Sequence, residues 1–326
     1  MQIQCPPSRR SMTRPSSPVL AARGQSHSVA FGHTITSGFY GSCAPGTPSL
    51  RYSRLFVHSL LAEFCAMSDL LALLPPNLQR LADRASEYQS AQPFPYISFD
   101  DFLPVAVAEA AERDFPGPDE EIWQRFERRG LEYMKLACEN EKFIPPTIRN
   151  ILYALNSATF VAFLQELTGI DHLIPDPWFH GGGLHQTMPG GHLDIHLDFN
   201  LHRKMRVYRR LNLLIYLNRD WQESYGGQFE LRKTKMAEPS LSLLPTFNRA
   251  ALFSTSNCSW HGQPRPVECP HGMSRRSLAL YYYTVAPANP DDVEGRTTVF
   301  ANDRKNLFRR LTPPILLDAV RAIRRS

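Results

Sequence analysis

Residues 190–200 read Gly-Gly-His-Leu-Asp-Ile-His-Leu-Asp-Phe-Asn, which contains two His-x-Asp pairs in succession. Residues 192–199 alternate as a strand does, and side chains two residues apart on a strand share one face. His196 and Asp198 can therefore bind a single metal ion. His192 and Asp194 form a second pair on the same predicted face, so strand parity alone leaves both pairs open.

A third metal ligand and a cation follow further along the chain. His261 comes 65 residues after His196, just beyond the predicted strand 250–255. Two histidines and one carboxylate leave three octahedral positions open, as in the facial triad of Fe(II) oxygenases. Arg275 and Ser277 share one face where the next strand begins. A guanidinium suits the binding of a carboxylate, because its planar fork donates two parallel hydrogen bonds.

The predicted elements change from helices to strands near residue 177. Periodicity predicts helices over 68–90, 100–115, about 118–140 and 146–168, with one strand at 94–99. Short strands then follow at 192–199, 211–217, 227–233, 241–244, 250–255 and 277–285. A final helix fits 313–324. Closely spaced strands after a helical half indicate a β-sandwich or small barrel decorated with helices.

The positive charge is confined to the first 66 residues. They contain six arginines, no lysine and one acid, so their net charge of +5 equals that of the whole 326-residue chain. The rest is close to neutral, and we expect no nucleic-acid binding. The Ser-, Pro-, Gly- and Arg-rich composition of residues 1–66 predicts disorder. We favour Met67 as the true start, and an organellar transit peptide is the alternative.

Composition also excludes two other classes. No apolar run approaches the ~18 residues that cross a bilayer, so we expect no membrane span. The six cysteines lack the paired spacing of a disulfide-stapled secreted module. We expect a cytoplasmic protein, or import into an organelle if residues 1–66 are genuine.

A zinc site is the rival interpretation of the metal ligands. Cys258 and His261, followed by Cys269 and His271, could supply two sulfurs and two nitrogens. Cys-x-His is too short for the second half of such a site, and the pair at His196 would be unexplained. We therefore favour the oxygenase interpretation.

Residues 178–285 resemble the double-stranded β-helix of the Fe(II)/2-oxoglutarate dioxygenases, in the prolyl 4-hydroxylase-type branch. The motifs that carry the resemblance are Gly190-Gly191 before His196-Leu-Asp198, Arg209-Arg-Leu-Asn-Leu-Leu-Ile-Tyr216-Leu-Asn218, Gly226-Gly227-Gln-Phe-Glu-Leu231, Phe253 through His261, and Arg275-x-Ser277. The resemblance implies an α+β fold with a jelly-roll, cupin-like core and supporting N-terminal helices. It implies one domain over 67–326, with helical support at 67–177 and the core at 178–286.

The resemblance also implies the site and its chemistry. His196, Asp198 and His261 would bind Fe(II). Arg275, Ser277 and Tyr216 would bind the distal carboxylate of 2-oxoglutarate, and Asn212 would line the same pocket. With O2 as oxidant and ascorbate as reductant, the enzyme would hydroxylate a small-molecule or peptidyl substrate and release succinate and CO2. The alternative is a non-catalytic module that binds metal and 2-oxoglutarate as a sensor or scaffold.

Two choices within the motifs depend on spacing. Gly190-Gly191 stands at the distance from His196 that the family's turn requires, which favours the second His-x-Asp pair. Ser277 is in phase with Arg275 and out of phase with Arg276, which favours Arg275 as the cofactor anchor. An extra loop is expected in the 14-residue step from His261 to Arg275.

Weaker candidates surround these residues. His185 and Gln186 lie where relatives contact cofactor or substrate. Trp260 could border the substrate channel or cover the core. Alternation predicts that Tyr281 and Tyr283 face the pocket while Tyr282 packs under a helix, and we favour core packing for all three.

Overall fold

The computed structural model describes residues 70–289 and 293–301. The predicted extension at 1–66 and the predicted helix at 313–324 lie outside these residues. The helices are short: a 3-10 turn at Leu70–Leu73, then α1 (Leu78–Ala82), α2 (Ala85–Ser90), α3 (Val105–Arg113), α4 (Pro146–Leu155) and α5 (Ala158–Thr168). The helix predicted over 146–168 is thus two helices, and Ser157 caps the second because its Oγ accepts a hydrogen bond from the Phe160 N–H.

The described chain also contains thirteen strands. They are β1 (Tyr96–Phe99), β2 (Gln124–Arg128), β3 (Glu132–Cys138), β4 (Ile174–Pro175), β5 (Gly183–Leu197), β6 (Leu201–His202), β7 (Val207–Tyr216), β8 (Phe229–Arg232), β9 (Pro239–Leu243), β10 (Ala250–Ser254), β11 (Trp260–Gln263), β12 (Arg275–Thr284) and β13 (Val299–Phe300). A second 3-10 turn, Glu223–Tyr225, precedes β8.

The strands pair antiparallel in the order β1-β10-β7-β12-β5-β11-β8-β9. β5 is 15 residues long, and it belongs to two parts of the sheet. Its first residues pair with β12 on one edge and β3 on the other, whereas its last residues pair with β11 and β13. This crossing of one long strand between two strand layers confirms the predicted double-stranded β-helix.

The helix predicted around 118–140 is wrong, because this segment forms the β2–β3 hairpin. β3 pairs with β5 along most of its length, which satisfies its backbone hydrogen bonds. Its side chains alternate: Leu136 and Cys138 enter the helix-covered core, while Lys135 and Ala137 line a cavity. Pairing with an already buried strand outweighs the local helical spacing of the apolar residues.

The helices pack on the outer face of the sheet and leave the inner face for a cavity. Alternate residues of β7 and β12, such as Leu213 and Leu280, join the buried residues of α4 and α5 in the main core. The intervening residues of the same strands, such as Asn212 and Ser277, face inward. No helix in the described part of the chain is both long and apolar enough to cross a membrane.

Candidate metal and cofactor site

An irregularity in β5 separates the two His-x-Asp pairs. His261 of β11 lies opposite His196, but Gln263 lies opposite Leu193, so three residues of β5 face two of β11. This β-bulge inverts the alternation, and Leu193 and His196 both line the cavity. His192 packs near Tyr133 instead. The expectation that all four polar residues share one face is therefore wrong, since parity cannot reveal a bulge.

His196, Asp198 and His261 come together on the cavity wall. Their potential ligand atoms all lie within 4.8 Å of one another, and all three residues are buried. The Nε2 atom of His196 is 3.5 Å from Asp198 Oδ1, and that of His261 is 3.3 Å from Asp198 Oδ2. Among the described residues they form the one group of three or more His, Cys, Asp or Glu side chains close enough to hold a metal ion.

The other ring nitrogen of each histidine contacts a backbone carbonyl. His196 Nδ1 is 2.8 Å from the Asp194 oxygen, and His261 Nδ1 is 2.8 Å from the Ser259 oxygen. A carbonyl oxygen can only accept, so both Nδ1 atoms carry the proton. Each Nε2 then presents a lone pair towards Asp198, which is the arrangement found in metal-binding histidines. Burial lowers the pKa of His196 further, which favours the neutral ligand form.

Asp198 is held ionised by a cation behind it. Its Oδ2 lies 3.1 Å from Arg209 Nη2 and accepts a hydrogen bond from Asn212 Nδ2 at 2.8 Å. Burial by itself raises the pKa of a carboxyl group. The charge of the nearby Arg209 guanidinium outweighs it and holds the pKa of Asp198 well below its usual value.

Arg209 is a site residue for which the sequence alone predicts no role. Its guanidinium lies 3.3 Å from the centre of the Tyr281 ring and 4.7 Å from that of Phe199, and its Nε donates to Asn212. Arg209 precedes Asn212 by three residues, so regular strand alternation would place it on the opposite face from Asn212. A register shift in the pairing of β7 with β12 near this point turns Arg209 inward. Only the motif around Asn212 pointed to this part of the strand.

Arg275 lies on the same cavity of about 440 Å³ as the three metal-binding candidates. Its Nε donates to the Gly227 carbonyl at 2.7 Å, and its Nη2 donates to the Tyr216 hydroxyl at 3.4 Å. Arg276 lies on the other face of β12, with its guanidinium 5.5 Å from the ring centre of Phe115. The geometry thus leaves Arg275 as the arginine of this pair that faces the cavity.

The remaining candidates divide between the cavity and the core. Ser277 is buried, lines the cavity and lies opposite both Tyr216 and His185 in the strand register. His185 also lines the cavity; burial lowers its pKa well below the usual value, and its Nε2 donates to the Gly181 carbonyl. Gln186 points away and bonds Ser274.

The three consecutive tyrosines alternate between the two faces of β12, but Tyr283, predicted to face the pocket with Tyr281, does not line the cavity. Tyr281 lines the cavity and donates to the Gly181 carbonyl. Tyr283 packs with Val207 in a small apolar cluster, and the Tyr282 hydroxyl donates to the carbonyl at the end of α4. Trp260 is not among the residues that line the cavity.

The rival zinc ligands are not brought together. Cys269 packs with Trp221 and Val267 in a separate apolar cluster. His271 lies in an exposed turn before β12. Neither joins His261 in a metal-binding group of the described chain.

Residues 182–283 match the family model described as the 2OG-Fe(II) oxygenase superfamily. This segment contains the three clustered ligands, the cavity-facing arginine and most strands of the core. The donor set also fits the cofactor, because neutral imidazoles and a carboxylate with open positions are the ligands of a facial Fe(II) site. The match assigns residues 182–283 to the 2OG-Fe(II) oxygenases, and the cofactors of these enzymes are Fe(II), 2-oxoglutarate and O2.

Solved structures match this chain at low sequence identity and modest TM-score. A Trichoplax adhaerens prolyl hydroxylase in complex with a hypoxia inducible factor peptide fragment is 15% identical, with a TM-score of 0.46 over 63% of this chain and 90% of its own. A Pseudomonas putida prolyl-4-hydroxylase is 17% identical, with a TM-score of 0.45 over 64% and 100%. HygX from Streptomyces hygroscopicus, with nickel, 2-oxoglutarate and hygromycin B bound, is 12% identical, with a TM-score of 0.40 over 63% and 92%. A search of the curated proteins gave no match.

Proposed function

We propose that residues 67–326 form a single hydroxylase domain in which His196, Asp198 and His261 bind Fe(II). One observation carries the proposal: the ligand atoms of these residues lie within 4.8 Å of one another, inside a cavity that Arg275 also lines. The protonated Nδ1 atoms support it, because they leave each Nε2 free to bind metal.

We assign the distal carboxylate of 2-oxoglutarate to Arg275, Ser277 and Tyr216. The support is that Arg275 and Ser277 are buried, line the cavity and extend from one strand face. Burial raises the pKa of Tyr216, so its hydroxyl stays protonated and can donate to a carboxylate. The amide of Asn212 is engaged by Asp198 and Arg209. We therefore give Asn212 a positioning role at the metal ligand rather than a direct contact with 2-oxoglutarate.

Fe(II) with 2-oxoglutarate and O2 supplies the oxidising chemistry that places a hydroxyl group on a C–H bond, with release of succinate and CO2. The residues of this chain orient the groups that take part. Asn212 and Arg209 fix Asp198, the Asp194 and Ser259 carbonyls fix the imidazoles, and apolar side chains exclude water. The apolar residues that line the cavity near the ligands are Leu193, Leu214, Phe229 and Phe253.

The test is an absorption measurement under nitrogen on the full chain with Fe(II) and 2-oxoglutarate, followed by a succinate assay in air. Wild-type protein is expected to show a metal-to-ligand charge-transfer band. Asp198→Ala and His261→Ala are expected to lose the band and succinate production while keeping their circular dichroism. Turnover like that of the wild type in either variant refutes the ligand assignment. A band without any succinate would favour the non-catalytic sensor or scaffold.

We propose a small-molecule or peptidyl substrate, with a prolyl residue among the candidates because of the Tyr216-Leu-Asn218 and Arg275-x-Ser277 motifs. Succinate release with free proline, a prolyl peptide and matched peptides without proline separates these choices.

Ascorbate is proposed as the reductant, and its addition is expected to prolong turnover. The absence of secreted-type cysteine spacing supports a cytoplasmic location, which imaging of the tagged full chain tests.

A further inference from the structure

Lys135 is a mostly buried cation in the cavity, and the iron and 2-oxoglutarate sites do not use it. It lies on β3 and lines the cavity wall, with 14% of its side chain exposed. In the strand register, Lys135 and Arg275 both lie opposite Thr187, one from each side of β5. Lys135 and Arg275 thus lie at the same level of the cavity wall, on the two strands that flank β5.

The ammonium group of Lys135 has one anionic neighbour, Glu132, and no hydrogen bond to it. Glu132 Oε2 lies 3.9 Å from Nζ, beyond hydrogen-bond distance, and Glu132 Oε1 is taken by Arg128. Phe126 supports the ammonium from the side, with its ring centre 5.1 Å from Nζ. Within the part of the chain that the structure describes, Nζ has no hydrogen-bond acceptor. Burying a charge without hydrogen bonds costs free energy. The ammonium group of Lys135, which has free N–H donors, is therefore suited to bind an anion.

The hairpin geometry holds this group in place. The pairing of β3 with β5 shifts register between Tyr133 and Lys135, where Met134 has a φ of 47°. The shift turns Glu132 and Lys135 to the same cavity face although they are three residues apart. Burial lowers the pKa of Lys135 to about 8, with the charge of Asp198 acting in the opposite direction, so the ammonium form predominates at pH 7.

Lys135 lacks a paired carboxylate when the charges on the cavity wall are matched. The lysine and arginine side chains that line the cavity are Arg128, Lys135, Arg209 and Arg275. Arg209 is paired with Asp198, and Arg128 is paired with Glu132. Arg275 is assigned to the distal carboxylate of 2-oxoglutarate. Lys135 therefore remains as a cation without a paired carboxylate when 2-oxoglutarate is bound.

We propose that Lys135 binds an anionic group of the substrate, a carboxylate in the first instance. This inference rests on the proposed function, since it assumes that Arg275 is occupied by 2-oxoglutarate. It narrows the substrate to a molecule that carries an acidic group near the carbon to be hydroxylated.

The probe is benzoate, with benzamide as its neutral counterpart. The full chain is loaded with Fe(II) and saturating 2-oxoglutarate under nitrogen and titrated by calorimetry, while the charge-transfer band is recorded in the same sample. Benzoate is expected to bind and benzamide not to bind. Lys135→Gln is expected to weaken benzoate binding by about tenfold or more, the effect of losing a charge-assisted hydrogen bond. Lys135→Arg retains the charge and is expected to keep most of the affinity.

The matched control is Lys233→Gln, an exposed lysine beyond β8 that does not line the cavity. It should bind benzoate as the wild type does. No benzoate binding to the wild type, or equal binding to Lys135→Gln and the wild type, overturns the proposal. A missing band together with benzoate binding that depends on Lys135 would reject the oxygenase assignment and leave the anion site standing.

A capped hexapeptide with one aspartate distinguishes the two sources of the carboxylate. Peptide binding that needs Lys135 assigns the anion to an acidic side chain of a peptide. Benzoate binding without peptide binding assigns it to a small acid.

Discussion

Gly262 supports the β-bulge that presents His196 to the metal site. A Cβ atom at this position would lie 2.8 Å from the Asp194 oxygen and 2.9 Å from the Leu193 oxygen, both of them backbone atoms. The same Asp194 oxygen accepts the hydrogen bond from His196 Nδ1. Gly262 also directly follows the ligand His261. Gly262→Ala therefore acts on both metal-binding histidines without removing any functional group.

The magnitude follows from the displacement that alanine requires. Ordinary contact begins at 3.4 Å, so the Asp194 oxygen must retreat by about 0.6 Å from its position at 2.8 Å. Backbone atoms in a paired strand cannot rotate away as a side chain does. Overpacking of this kind costs about 1–3 kcal/mol of unfolding free energy, or about 3–10 °C in melting temperature for a domain of this size. Loss of the carbonyl that orients a histidine ligand weakens metal binding by about 10–100-fold.

Calorimetric titration with Fe(II) under nitrogen and thermal unfolding of the apoprotein measure the two effects separately. Gly117→Ala is the matched control, because its Cβ would meet only the Glu120 Oε1 atom at 3.8 Å. Metal affinity and melting temperature like those of the wild type in Gly262→Ala would refute the role of the bulge. A lower melting temperature with unchanged metal affinity would refute the link between the bulge and His196.

Two further substitutions test the surroundings of the site. Arg209→Met removes the cation that keeps the pKa of Asp198 low, so Fe(II) binding should be lost at a higher pH on acidification than in the wild type. Fe(II) titrations across a pH series measure this, and coincident profiles would contradict it. Tyr282→Phe removes a buried hydrogen bond to the last carbonyl of α4 and should cost about 1–2 kcal/mol of unfolding free energy. Succinate production should be unchanged, and its loss without a change in stability would contradict the assignment of Tyr282 to the core.

The sequence predicted those parts of the molecule that local periodicity encodes. The strands that became β7, β10 and β12 lie close to their predicted bounds because their alternation is regular. The same alternation brings Arg275 and Ser277 to one face and sends Arg276 to the other. The grouping of His196, Asp198 and His261 could also be predicted, because it requires only that the two strand segments that carry them lie side by side.

Register shifts account for what the sequence did not reveal. The bulge in β5 separates two chemically identical His-x-Asp pairs, and the irregularity in β7 turns Arg209 inward. Each depends on how a partner strand pairs, which a single strand does not specify. The β2–β3 hairpin was missed for the same reason. Its backbone partner is β5, about fifty residues away, so Lys135 and its place in the cavity could not be inferred from local pattern.

β3 is synthesised before β5, and this order gives β3 a role during folding as well as in the cavity. β5 is the strand on which both layers of the domain depend, yet its partners β11, β12 and β13 are translated after it. Until they emerge, β5 would present two unpaired edges of the kind that promote aggregation. β3 precedes β5 in the chain and pairs with it from Cys138 to Glu132. The β2–β3 hairpin can therefore cover one edge of β5 during synthesis. The segment that brings Lys135 to the cavity thus also reduces the risk of aggregation before the domain is complete.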